Sequence, residues 1–166
     1  MRNTEWRITN ENIKRGKEED KMKVNVRKIE RCTERIMNML GINGYVNNIE
    51  FRTEKSGMYG YMQKEHGGYN VVIYVNECKN EKEIIHTIAH ELRHVWQCLR
   101  GYKIEGKFGL YHETYNSNIF EIDANKFGDI IAYGKKHKAN EEGLYINNLH
   151  IFKYGVHTLI AKAITA

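Results

Sequence analysis

The chain has 166 residues, a formal net charge of +5, 41% hydrophobic and 28% charged residues, no proline and eight histidines. That length suits one domain whose core folds without disulfide staples. The balance of residues excludes a wholly disordered chain, a collagen-like chain and a small disulfide scaffold.

Residues 1–20 are polar and without sustained periodicity, and read as a lead-in to a single domain over 21–166. Met1 to Trp6 lack the basic-then-apolar pattern of a leader, and no run approaches the ~20 apolar residues that span a bilayer. No membrane association is expected. From about Val24 to Leu40, Val26, Ile29, Ile36, Met39 and Leu40 recur at helical spacing and Gly41 stops the run,. Three strand-like runs follow: Val46–Thr53, Gly57–Gln63 and Tyr69–Asn76. In the last, Tyr69, Val71, Ile73 and Val75 alternate onto one face, and Lys64 to Gly68 reads as a hairpin turn,. The longest helical signal runs from Glu81 to Arg100, with Asn80 as N-cap, Glu83 completing a capping box and Gly101 as the stop,. After a Gly- and Tyr-rich loop over 101–115, a further helix is predicted from Asn116 to Tyr133. The tail 141–166 reads as more helix than strand. The expected fold class is α+β.

Cys32, Cys78 and Cys98 are odd in number and widely spaced, which points to reduced thiols in the cytoplasm,. Basic clusters lie between Lys14 and Lys28 and at Lys135 to Lys138. Glu18, Glu19 and Asp20 interrupt the first, so a solvated surface is favoured over a nucleic-acid patch.

His90-Glu91-Leu92-Arg93-His94 is an H-E-x-x-H motif inside the long helix. Residues four apart lie one turn apart on one helix face, so two imidazoles can converge on one metal ion. Glu91 lies beside them, placed to take a proton from water activated by the metal. At ~100° per residue the apolar stripe Ile85, Ile88, Leu92, Val95, Trp96 and Leu99 points away from the histidines. The histidine face is therefore expected to look into a cleft. His86 shares that face, but ~12 Å of helix separates it from His94, too far for one ion to take all three. It is expected to line the cleft or hydrogen-bond within it. Cys98, one turn beyond His94, reads as a half-buried thiol.

A catalytic zinc site takes three protein ligands and an open position. The third is sought in Glu121-Ile122-Asp123-Ala124-Asn125. Glu121 and Asp123 are ~200° apart on a helix and point opposite ways. Glu121 shares a stripe of small residues with Ala124, Asn125 and Gly128, which permits close helix packing, whereas Asp123 falls among Ile119, Phe127 and Ile130. Glu121 is the preferred ligand, with Asp123 kept as an alternative ligand or as an outer partner. Asn125 is a candidate to accept a hydrogen bond from the outer nitrogen of a ligand histidine. Tyr111, His112 and Tyr115, between the two helices, are candidates to stabilise an oxyanion, and His112 also to ligate metal.

These residues resemble the gluzincin metallopeptidases, with H-E-x-x-H and E-x-x-A-D. Glu121 to Phe127 also resembles the E-x-x-A-N-x-F pattern of the ImmA/IrrE-type intracellular metallopeptidases of phages and mobile elements. Asn125 stands where many gluzincins have Asp, and no Pro follows the glutamate helix. The resemblance implies a minimal zincin: a small twisted, mostly antiparallel sheet, an active-site helix and a glutamate helix. It further implies zinc (Zn2+) on His90, His94 and Glu121, with Glu91 as general base. An edge strand would pair with an extended protein or peptide substrate, and a specific intracellular protein is the expected one. The rival readings are a zinc-containing binding module without proteolytic activity and a zinc hydrolase acting on other bonds.

Overall fold

The computed structural model describes residues 24–102 and 119–134. In chain order these form α1 (Val26–Leu40), β1 (Val46–Arg52), β2 (Gly60–Glu65), β3 (Gly68–Tyr74), a single 3-10 turn (Val75–Glu77), α2 (Glu81–Leu99) and α3 (Ile119–Tyr133). The fold is α+β, with the sheet and the other two helices packed around α2. The lead-in, the tail beyond 134 and the loop that carries Tyr111, His112 and Tyr115 lie outside the described residues.

The start of α1 follows from its cap. Asn25 is extended and its side chain accepts from the Lys28 N–H at 3.1 Å,. Glu81, at the start of α2, accepts from the Asn25 N–H at 2.8 Å and from Lys28 Nζ at 2.6 Å, which ties the two helix starts together. The helix ends at Gly41, whose φ of 67° is the left-handed conformation that a closing residue needs,. Ile29, Ile36 and Leu40 face the core as the periodicity predicts, whereas Val26 and Met39 are only half-buried and Met37, outside the predicted set, is fully buried. Thr33 is buried among them and meets its polar demand by donating to the Ile29 carbonyl at 2.8 Å,.

The sheet has the order β1-β3-β2. The expected hairpin is present: β2 and β3 are antiparallel, with Glu65 opposite Gly68. His66 and Gly67 form the two-residue turn with φ of 45° and 77°, as a type I′ turn requires. The other ladder corrects an expectation. β1 pairs with β3 in parallel, Phe51 opposite Ile73, so the sheet is mixed where mostly antiparallel pairing was expected. β2 begins at Gly60, later than expected, because the Glu77 carboxylate holds the backbone N–H groups of Ser56 (2.9 Å) and Gly57 (3.1 Å) in the preceding loop. Gly60 sits tightly. A Cβ there would lie 2.7 Å from the Val72 carbonyl and 2.9 Å from Thr87 Cγ2 of α2.

One face of the sheet, with Ile49, Phe51, Val71 and Ile73, forms a continuous core with Ile84, Ile88, Leu92 and Val95 of α2 and with Phe127 and Ile131 of α3. The start of α2 is capped by Asn80, whose side chain accepts from the Glu83 N–H at 3.0 Å, while the Glu83 carboxylate reaches one residue past the cap and accepts from the Lys79 N–H at 2.6 Å. The histidine face of α2 is not open, as expected, but covered by α3. From Ile84 to Gln97 only His86 is not fully buried. The three cysteines are free thiols, with Cys98 half-buried as expected. No helix among the described residues is long and apolar enough to cross a membrane.

Candidate metal centre

His90 and His94 come from consecutive turns of α2, and Glu121 from the first turn of α3. His94 Nε2 lies 3.0 Å from His90 Nε2 and 3.0 Å from Glu121 Oε1, and His90 Nε2 lies 3.3 Å from Glu121 Oε2. Ligands at 2.0–2.1 Å on a tetrahedron stand ~3.3 Å apart, so the three donors are spaced almost as one divalent ion demands. Two further observations favour an ion. Glu121 Oε2 is sealed from solvent without a hydrogen bond of good geometry, and the site puts two imidazole nitrogens face to face. The three residues could therefore hold a metal ion, in an arrangement consistent with a zincin-like site.

Electrostatics support the donor set. Burial alone would raise the Glu121 carboxyl, but His90 and His94 outweigh it and hold that group well below the usual carboxylate range,. For His94 burial works to lower the pKa, and the Glu121 hydrogen bond with the charges of Glu91 and Glu121 reverses this and raises it. Glu91 is buried beside the pair. Burial raises its carboxyl, opposed by His90 and His94. Glu91 makes no hydrogen bond or ion pair within the described residues. Side-chain exposure is 11% at His90, 7% at His94 and 3% at Glu121, so His90 is the least covered of the three.

The stripe of small residues on α3 does what its composition predicts. Ala124 and Gly128 are buried, and a Cβ on Gly128 would lie 2.9 Å from the His86 ring and 3.0 Å from the His86 carbonyl. His86 itself is half-buried at the edge of the site. Its Nε2 is 3.3 Å from Asp129 Oδ1, its ring hydrogen-bonds the Asn125 backbone, and its ring stacks toward His90 at 6.3 Å between centroids. Burial lowers its pKa. Asn125 corrects an expectation: its side chain is exposed, and it is the backbone that meets His86.

Asp123 is committed elsewhere than to the metal. It accepts two bonds from Arg93, 2.6 Å from Nε and 3.0 Å from Nη2, and one from Gln97 Nε2 at 2.9 Å. Arg93 is 1% exposed, and its guanidinium lies over the rings of Trp96 (4.1 Å) and Phe127 (5.2 Å). Glu121 and Asp123 were expected on opposite faces of α3. Both reach α2, because the long Arg93 and Gln97 side chains come round to meet Asp123. Sequence reasoning missed Arg93 and Gln97. A signal for the first existed: an aspartate among apolar helix positions needs a buried cation. Gln97, one turn past His94, carried no such mark, yet its Oε1 lies 2.7 Å from His94 Nδ1. Comparison of the chain with protein-family models, with curated protein sequences and with solved structures finds no match.

Proposed function

We propose that the chain is a zinc-dependent metallopeptidase of gluzincin type that hydrolyses peptide bonds of a protein or peptide substrate. The observation that carries this reading is the convergence of His90, His94 and Glu121 with a buried Glu91 beside them that has no partner among the described residues. A structural site has no use for that fourth group. A zinc ion held by the triad would lower the pKa of water and polarise a carbonyl. Glu91 takes the proton of the attacking water and delivers it to the leaving amine. Its raised pKa suits this exchange, since burial reduces the cost of holding the proton.

The sheet supports a path for the substrate. Among the described residues β2 is an edge strand. The Tyr74 N–H donates to the Tyr59 carbonyl at 2.8 Å, so Tyr59 and Tyr61 turn their backbone groups toward β3. Gly60, Met62 and Lys64 turn theirs outward. Gly60 packs on Thr87, one turn before Glu91. An extended peptide paired with this edge would pass along α2 beside the general base.

The test combines metal content with Glu91→Gln. The protein as purified holds about one zinc per chain, and Glu91→Gln keeps it while hydrolysis of a panel of unstructured proteins falls by ~10²–10⁴. A protein that takes up no zinc, or a variant as active as the parent, sinks the reading. Zinc bound with no turnover in either form favours a zinc-containing binding module. Turnover of small esters alone favours a different hydrolase.

A further inference from the structure

We propose that Gln97 is a positioning residue that fixes His94 in the Nδ1–H tautomer, and that Arg93 and Asp123 set the orientation of the Gln97 amide. The inference rests on the metal-site reading for its purpose but not for its geometry. Gln97 is fully buried. One end of its amide lies 3.1 Å from the Phe120 carbonyl and 2.9 Å from Asp123 Oδ2. The Phe120 carbonyl can only accept, and both Asp123 oxygens already take N–H groups of the Arg93 guanidinium. An oxygen at that end of the amide would face two other oxygens. The NH2 group therefore sits there, and the Gln97 oxygen faces His94 Nδ1 at 2.7 Å. That oxygen can only accept, so Nδ1 carries the hydrogen. In the neutral ring the lone pair is then on Nε2, the atom that points at His90 and Glu121.

The arrangement joins both helices of the site. Arg93, His94 and Gln97 belong to α2, while Asp123 and the Phe120 carbonyl belong to α3, as does Glu121. Docking of α3 thus delivers the third ligand and fixes the tautomer of the second in one event. A ligand histidine is commonly held by a carboxylate or a carbonyl oxygen at its outer nitrogen. Here a neutral amide takes that place, and the carboxylate stands one residue further out, neutralised by Arg93. His90 has no such partner within the described residues, so the two histidines differ in how firmly they are set before any ion arrives.

The experiment reads the tautomer directly. Long-range 1H–15N correlation spectra of the full chain without metal, followed with rising pH until the ring-nitrogen shifts themselves show a neutral His94, give its tautomer. The parent protein should show His94 only as the Nδ1–H form. Gln97→Met keeps the volume and removes the acceptor, and should admit the Nε2–H form. Isothermal titration with zinc should then show a loss of affinity of about 10- to 100-fold. The inference is overturned by an Nε2–H His94 in the parent, which needs no variant to fold. It is equally overturned by a folded Gln97→Met with unchanged tautomer and zinc affinity, which would make Gln97 a packing residue only. A parent that shows the Nδ1–H form but takes up no zinc refutes the metal reading and leaves the tautomer assignment standing.

Discussion

Replacing Asp123 with alanine removes the acceptor of three hydrogen bonds and leaves the buried Arg93 guanidinium with no ion-pair partner among the described residues. Trp96 and Phe127 lie under the guanidinium with their rings. Breaking a buried ion pair from one side costs ~3–5 kcal/mol, because the remaining charge keeps its desolvation penalty. Folding stability as a whole is ~5–15 kcal/mol, so this one change consumes a large part of it. In urea, with a slope of ~1–3 kcal/mol per molar, the midpoint should fall by ~2 M. Trp96 lies on the guanidinium, so its fluorescence follows the transition at the relevant place. The double variant Arg93→Met, Asp123→Leu removes both charges and fills the space with apolar groups. It should recover most of the loss, since a buried pair seldom outperforms a well-packed apolar substitute. A loss below ~1 kcal/mol for Asp123→Ala, or a double variant less stable than the single one, would refute the reasoning.

Gly128→Ala places a methyl group 2.9 Å from the His86 ring and 3.0 Å from its carbonyl. Backbone cannot yield there as a flexible side chain would, so the change should cost ~1–3 kcal/mol and weaken metal binding as α3 is displaced; calorimetry and zinc titration check both. Stability without metal should depend on pH in a stated direction. The Glu121 contribution, from a depressed pKa, is complete above its unfolded value of 4.5 and fades as the pH falls through the folded one,. The His94 contribution, from a raised pKa, is complete below 6.5 and fades as the pH rises through the folded value,. Glu91, raised by burial, adds to the loss on the alkaline side of its unfolded value of 4.5. The metal-free protein should therefore be most stable between those limits, toward the acid end. The extra stability on adding zinc should rise with pH, because the ligand nitrogens must be deprotonated. Thermal melts across pH, with and without a chelator, compare the two trends, and parallel curves would contradict this account.

Local patterns carried much of the fold. Helix α2 was readable because its capping box, apolar stripe and closing glycine all lie within one stretch, and the β2–β3 hairpin because alternation is broken by His66 and Gly67. The parallel pairing of β1 with β3 was not, since nothing in Val46–Arg52 records which partner it meets or in which direction. The start of β2 moved for the same kind of reason: a carboxylate from Glu77 holds the loop in front of it. In the site, His90, Glu91 and His94 follow from helix geometry alone. Glu121 follows from the small residues that share its face. The pair Arg93–Asp123 joins positions 30 apart in sequence, and no periodicity within either helix encodes that distance. Gln97 was invisible because an amide one turn beyond a histidine is ordinary until its two ends are seen to be oriented.

The two-residue turn at His66 and Gly67 also sets an order of events. The β2–β3 hairpin closes a very short loop, so it can form in microseconds with little entropy lost. Pairing of β1, and still more the docking of α3 onto α2, must close far longer stretches of chain. By this measure the metal ligands come together after the hairpin, since contacts between α2 and α3 join positions about 30 apart, and a chain that has formed only the hairpin should hold Glu121 still apart from the histidines. Pulsed hydrogen exchange would show amides of β3 protected before those of α3. Zinc present during refolding should then change a step after hairpin formation and leave the hairpin untouched.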